Sequence, residues 1–169
     1  MRFGDFLRTA VLLFGGAATA LAVAAVAGAQ GRDEPMLIYL AFGWWTFAAL
    51  IGGFLGRRRS ASPGMARLMS SARTTPMLPE LEPGTVIFNR LWALAVFTVL
   101  TGAVAFLLPQ VTAIAVGYAI ILALLWRNQA AAVAAVEERD GVRFYVDRSS
   151  PFGPTKLLRT PGFRRVEVG

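Results

Sequence analysis

The sequence predicts an all-α integral membrane protein: four transmembrane helices in two antiparallel hairpins, followed by a short cytoplasmic C-terminal tail. Three observations predict it. Hydrophobic residues make up 56% of the 169-residue chain and charged residues only 16%, against about 25% charged in a typical soluble domain. The missing charge is concentrated in four apolar runs, at residues 7–29, 36–56, 91–108 and 111–126. Each run is close to the roughly 17–25 residues that a bilayer-spanning helix needs. Basic residues lie at the ends of these runs, Arg8 as the second residue of the first and the others outside them, as at the ends of membrane spans.

The composition also excludes several kinds of chemistry. No cysteine and no histidine occur, which removes disulfides, thiolate metal sites, cysteine nucleophiles and the commonest general base. The net charge of +7 is almost entirely arginine, with Lys156 the single lysine. Such a surplus suits either nucleic acid or anionic lipid. Its placement beside apolar runs favours lipid and topology. No glycine-rich phosphate loop and no hydrolase or metalloprotease motif is present. Asp5, Glu80, Glu82, Asp140 and Asp147 are scattered, with no spacing that assembles a metal site, so no cofactor is expected.

The first span follows Arg2 and Arg8. Its basic start and the Ala27-Gly28-Ala29 stretch also describe a secretory signal peptide, but an apolar core of about 20 residues exceeds the 7–15 of a signal. A retained helix is therefore expected. Gly16, Ala20, Ala24 and Gly28 recur four apart, a spacing that lets helix backbones approach closely in lipid. Residues 30–35, QGRDEP, make a short polar turn, and Pro35 suits a helix start because its missing N–H has no helical partner there. In the second span Ala48, Gly52 and Gly56 form another small-residue row, widened by Ala49 and Gly53. Packing of the first two helices through these rows is the expected tertiary contact. Trp44 and Trp45 lie too deep for an interfacial belt, about 12–13 Å in from Met36 at 1.5 Å per residue. They are expected to face lipid or to fill a gap against another helix.

Arg57, Arg58 and Arg59 end the second span and open a linker, residues 57–90, that contains Pro63, Pro76, Pro79 and Pro83. One or two amphipathic turns are expected near 65–71, with Met65, Leu68 and Met69 inward. The third and fourth spans are joined by Pro109-Gln110, a turn so short that they must be antiparallel neighbours. Thr46, Thr98, Thr101 and Thr112 are expected to bond their own helices. The helical pattern continues past Trp126 to about Val136. Asp140-Gly141 then signals a tight hairpin turn, with Val142, Phe144 and Val146 alternating in a small β-ribbon. The rest of the tail, to residue 169, is a Pro/Gly-rich segment in which Lys156, Arg159, Arg164 and Arg165 mix with apolar side chains. That mixture suits an anionic headgroup surface or a protein partner.

The layout resembles that of small four-helix integral membrane proteins of bacteria, and no motif narrows the resemblance to a family. The expected role is a non-enzymatic scaffold or accessory subunit, able to form a homo-oligomer or to join another membrane protein, without nucleic acid. A small, dimeric transporter or channel component is the alternative, and a lipid-acting enzyme using Asp140 or Asp147 is a third. Of the 17 basic residues only Arg32 falls in a turn on the far side. The positive-inside rule then puts both termini in the cytoplasm, at the inner membrane. A reporter active only in the cytoplasm is expected to work when fused after Gly169 and to fail when inserted near Asp33. The reverse pattern would invert the topology.

Overall fold

The computed structural model describes residues 1–55, 63–74, 83–147 and 156–161. In chain order the elements are α1 (Phe3–Gln30), α2 (Pro35–Leu55), α3 (Pro63–Ser70), β1 (Arg73–Thr74), α4 (Pro83–Val104), α5 (Pro109–Asp140), β2 (Val142–Val146) and β3 (Leu157–Pro161). Four of the helices, α1, α2, α4 and α5, are long and apolar enough to cross a membrane. The protein is thus an all-α membrane protein with a minor sheet. Proline heads α2, α3, α4 and α5, where a residue with fixed φ and no N–H costs nothing. Pro63 and Pro83 of the linker therefore start helices.

Two compact units make up the chain. A helical unit comprises Thr9–Arg58 and Leu91–Asn128, and a mixed unit comprises Met1–Arg8, Arg59–Arg90 and Gln129–Gly169.

In the helical unit, Leu21 and Ala25 of α1, Ala41 and Trp45 of α2, and Ala113 and Val116 of α5 form one buried cluster. Large apolar side chains such as Leu12, Leu40, Phe54, Val99 and Leu107 are more than half exposed. A surface of that kind belongs in lipid and not in water. Neighbouring contacts give the helix directions. Leu21 lies against Gly102, and Gly28 lies against Ala105 and Pro109, so α1 and α4 run the same way. Trp45 bonds to Ala113 and Gly52 meets Ile121 and Leu124, so α2 and α5 also run the same way. The two hairpins are oriented alike.

The tryptophans fill the gap against a neighbouring helix. Trp45 Nε1 donates to the Ala113 carbonyl at 2.8 Å, and Trp44 Nε1 donates to the Ile114 carbonyl at 3.2 Å. Gly117 makes room for the Trp44 ring, since a Cβ there would collide with it. Phe42 packs edge-on against Trp45 at 5.1 Å, and Tyr118 packs against Trp44 at 6.0 Å. Thr46 and Thr98 bond the carbonyls of Phe42 and Leu94 in their own helices, as expected. Thr112 does not. It sits in the first turn of α5, where the residue four back precedes the helix, and its hydroxyl crosses to the Thr101 carbonyl of α4 at 2.8 Å.

The small-residue rows pack differently from expectation. Gly16 and Ala20 are exposed, Ala24 is half-buried and Gly28 is buried. Four residues turn a helix by 400°, so a row with that spacing drifts about 40° per step. The row thus starts on the open side of α1 and reaches the packed face only at Gly28. The packed face there is Leu21, Ala25 and Gly28, and its close neighbours at Gly28 are Ala105 and Pro109, not α2. Ala48 and Gly52 are buried, and Gly52 meets α5. Ala49 and Gly53 are exposed. Gly56 lies outside the described residues. The third span is also shifted: α4 begins at Pro83 and ends at Val104, and Ala105 to Leu108 form the turn, in which Leu108 N donates to the Val104 carbonyl at 2.7 Å.

In the mixed unit the three strands form one sheet in the order β1-β3-β2. β1 pairs parallel with β3, and β2 pairs antiparallel with it, Phe144 lying opposite Arg159. The expected Asp140-Gly141 hairpin turn is instead the stop of α5. Gly141 has φ 60°, the left-handed conformation that ends a helix, and β2 follows directly. The partner of β2 comes from the tail, which the sequence pattern alone left unassigned. Val142, Phe144, Val146 and Leu157 are buried, as are Phe3, Phe6 and Leu7 at the start of α1 and Ala132 and Val133 in α5.

Gly28→Ala is expected to lower the stability of the detergent-solubilised protein by about 1–3 kcal/mol, because the added methyl meets the Ala105 backbone and not a movable side chain. Gly16→Ala meets nothing within 4 Å and is expected to be neutral or slightly stabilising in the same thermal-unfolding measurement.

Candidate functional site

The mixed unit contains a cavity of about 580 Å³, lined by residues of α3, α5, β2 and β3. Each wall has a sequence origin. α3 is the expected amphipathic segment, with Met65 buried and Leu68 and Met69 half-buried, so that Met69 and Ala66 reach the cavity. The last three turns of α5 offer Ala132, Ala135 and Val136, small enough to leave space. Phe144 closes the floor from β2, and its register partner Arg159 stands beside it on β3.

The polar rim is Ser70, Arg139, Asp140 and Arg159. Arg139 Nε donates to Asp140 Oδ1 at 2.7 Å, and Nη2 donates to Oδ2 at 3.3 Å. This fork holds two adjacent residues at the end of α5 in one orientation. The hydrogen bond from Arg139 holds the Asp140 carboxyl below its ordinary range. Partial desolvation opposes that, and the positive charges of Arg139 and Arg159 add to it. The same bond raises Arg139 above its usual value. Ser70 donates to the Arg67 carbonyl at 3.0 Å. Among the described residues no hydrogen bond occupies the Arg159 guanidinium, which is exposed at the rim.

Further contacts fix the sheet that carries Phe144 and Arg159. The Phe144 N–H donates to Glu137 Oε1 at 2.9 Å, and the Val146 N–H donates to the Met1 carbonyl at 3.2 Å. These two N–H groups lie on the free edge of β2. Arg2 bridges to Tyr145 along the same edge. Side chain and N-terminus together cover an edge that would otherwise be open to another strand. At the other end Asp147 N donates to the Lys156 carbonyl at 2.9 Å.

Of the expected headgroup-binding residues, Lys156 and Arg159 are exposed, and Arg159 lines the cavity. Arg57, Arg58, Arg59, Arg164 and Arg165 lie outside the described residues. Asp140 belongs to the rim, whereas Asp147 does not line it. Sequence reasoning missed Arg139 and the walls. The available signal was the helical phase linking Ala132, Ala135, Val136 and Arg139, three or four apart on one face of α5.

Comparison with known proteins returns no match: no family model, no curated protein and no solved structure corresponds to this chain.

A carboxyl with a lowered folded pKa adds stability that is complete above its unfolded value, about 3.9 for Asp. That stability is lost as pH falls through the folded value. Carboxyl NMR is therefore expected to show Asp140 titrating below an ordinary aspartate, and Arg139→Gln is expected to move it upward. An unchanged midpoint in the variant would remove the fork from the site.

Proposed function

We propose that the protein is a non-enzymatic accessory or scaffold subunit of the bacterial cytoplasmic membrane, with both termini cytoplasmic and the basic mixed unit as its binding part. One observation carries this reading. The N-terminus, the linker and the tail, which are far apart in sequence, are joined by strand pairing into a single unit. That supports placing all three on one side of the bilayer. It is the side to which 16 of the 17 basic residues belong once Arg32 is set apart, and the positive-inside rule makes it the cytoplasm. A structure that gathers its charged segments into one body offers a partner or an anionic lipid surface a fixed face instead of a loose tail.

The helical unit supports a scaffold over a carrier. Its buried cluster is apolar throughout, the two indole N–H groups are taken up by α5 carbonyls, and the Thr112 hydroxyl by α4. Ion and proton paths in membranes are normally marked by intramembrane acids and bases.

Liposomes containing only this protein are expected to show no ion or solute flux above empty liposomes. Gentle purification from native membranes is expected to retain a membrane protein in fixed stoichiometry. Flux from the purified protein would favour the transporter reading instead.

A further inference from the structure

We propose that the cavity between α3, the end of α5 and strands β2 and β3 binds a single-chain carboxylate, an amphiphile of the medium-chain fatty-acid class. The proposal rests on the reading of the mixed unit as the binding part of the protein.

Four features specify that ligand. At about 580 Å³ the cavity is of small-molecule size, within the roughly 300–1,000 Å³ of such sites. Its apolar part is Ala66, Met69, Ala132, Ala135, Val136 and Phe144, a surface for a hydrocarbon tail, and its polar part is Ser70, Arg139, Asp140 and Arg159. The polar wall groups are largely engaged already. Ser70 donates to a helix carbonyl, the Phe144 N–H to Glu137, and Arg139 to Asp140. Arg159, whose charge also acts on Asp140, has no hydrogen bond among the described residues and stands exposed beside the buried Phe144.

The rim charge limits the valence. Arg139 and Arg159 stand with Asp140, and the Glu137 carboxylate lies close by on the Phe144 N–H, so there is no large positive surplus. A single anionic head satisfies Arg159, and a planar carboxylate fits the guanidinium fork. A more highly charged head would meet the Asp140 carboxylate. A two-chain bilayer lipid would leave one tail outside the cavity. The head therefore pairs with Arg159 and the tail runs over Phe144 toward Met69 and the alanines of α5.

The test uses the full chain, with methionine methyls labelled, in nanodiscs of zwitterionic lipid, titrated with octanoate at neutral pH. A saturable shift of the Met69 methyl signal is expected, with Met36 as a reference for ligand dissolved in the bilayer, since Met36 is exposed on α2. Each methylene added between hexanoate and octanoate is expected to tighten binding about three- to fourfold. Arg159→Gln is expected to weaken octanoate about tenfold while leaving binding of the neutral 1-octanol unchanged. Ala135→Trp is expected to fill the cavity and abolish the Met69 response.

Equal affinity for octanoate and octanol in the native protein would overturn the proposal. So would an unaffected Arg159→Gln, or Met69 and Met36 signals that move together. The same Met69 shift in nanodiscs of phosphatidylglycerol without octanoate would show a bilayer lipid as the occupant and overturn it as well. If octanoate fails while purification still retains a partner and liposomes show no flux, only the cavity proposal falls. If flux appears, the scaffold reading falls whatever octanoate does.

Discussion

Hydrocarbon offers no hydrogen-bond partner, so every polar group on a membrane helix must find one inside the protein. Trp44 and Trp45 bring two indole N–H groups into the apolar second span, and both end on carbonyls at the start of α5. Much of the helical unit follows from this. The Trp44 indole reaches the α5 backbone only because Gly117 has no side chain, and Gly52 allows a second close contact with Ile121 and Leu124. Those two contacts align α2 with α5 in direction and height. Gly28 and Leu21 do the same for α1 with α4, and Thr112 ties α4 to α5. Helix packing here rests on a few fixed points, consistent with a solvent that supplies no hydrophobic drive between helices.

The sheet of the mixed unit needs support from outside its own strands. One of its strands has two residues and the others five each, and a lone ribbon is marginal in water. β2 is secured on one side by β3 and on the other by Glu137 and the Met1 carbonyl. The N-terminal residues thus have a structural role in the mixed unit.

What the sequence made legible follows from how local each signal is. Four long apolar runs read as spans, so the four long helices could be read directly. The short amphipathic α3 was also readable, because Met65, Leu68 and Met69 repeat at helical spacing. Packing partners were not. A row of small residues marks where backbones can approach, but its 40° drift per step changes the face it presents. Which neighbour it meets depends on the whole bundle, so Gly28 found Ala105 and Gly52 found α5. The Asp140-Gly141 pair was misread for a related reason. Glycine at positive φ serves equally in a hairpin turn and at a helix stop, and only the continuation of α5 to Asp140 decides between them. Arg159 stood out as basic, but its place beside Phe144 depends on a strand register between distant segments.

The distribution of polar groups separates the work of the two units. In the helical unit the indole N–H groups and the Thr46, Thr98 and Thr112 hydroxyls each serve a backbone carbonyl of the bundle. They tie side chains to the backbone of the bundle. In the mixed unit the balance differs. Arg139 is committed to Asp140, yet Arg159 stands at the cavity without such a bond among the described residues. A linker arginine serves topology as well and needs no defined surroundings. The placement of Arg159 is instead set by the pairing of β3 with two other strands, which is the observation the cavity proposal builds on.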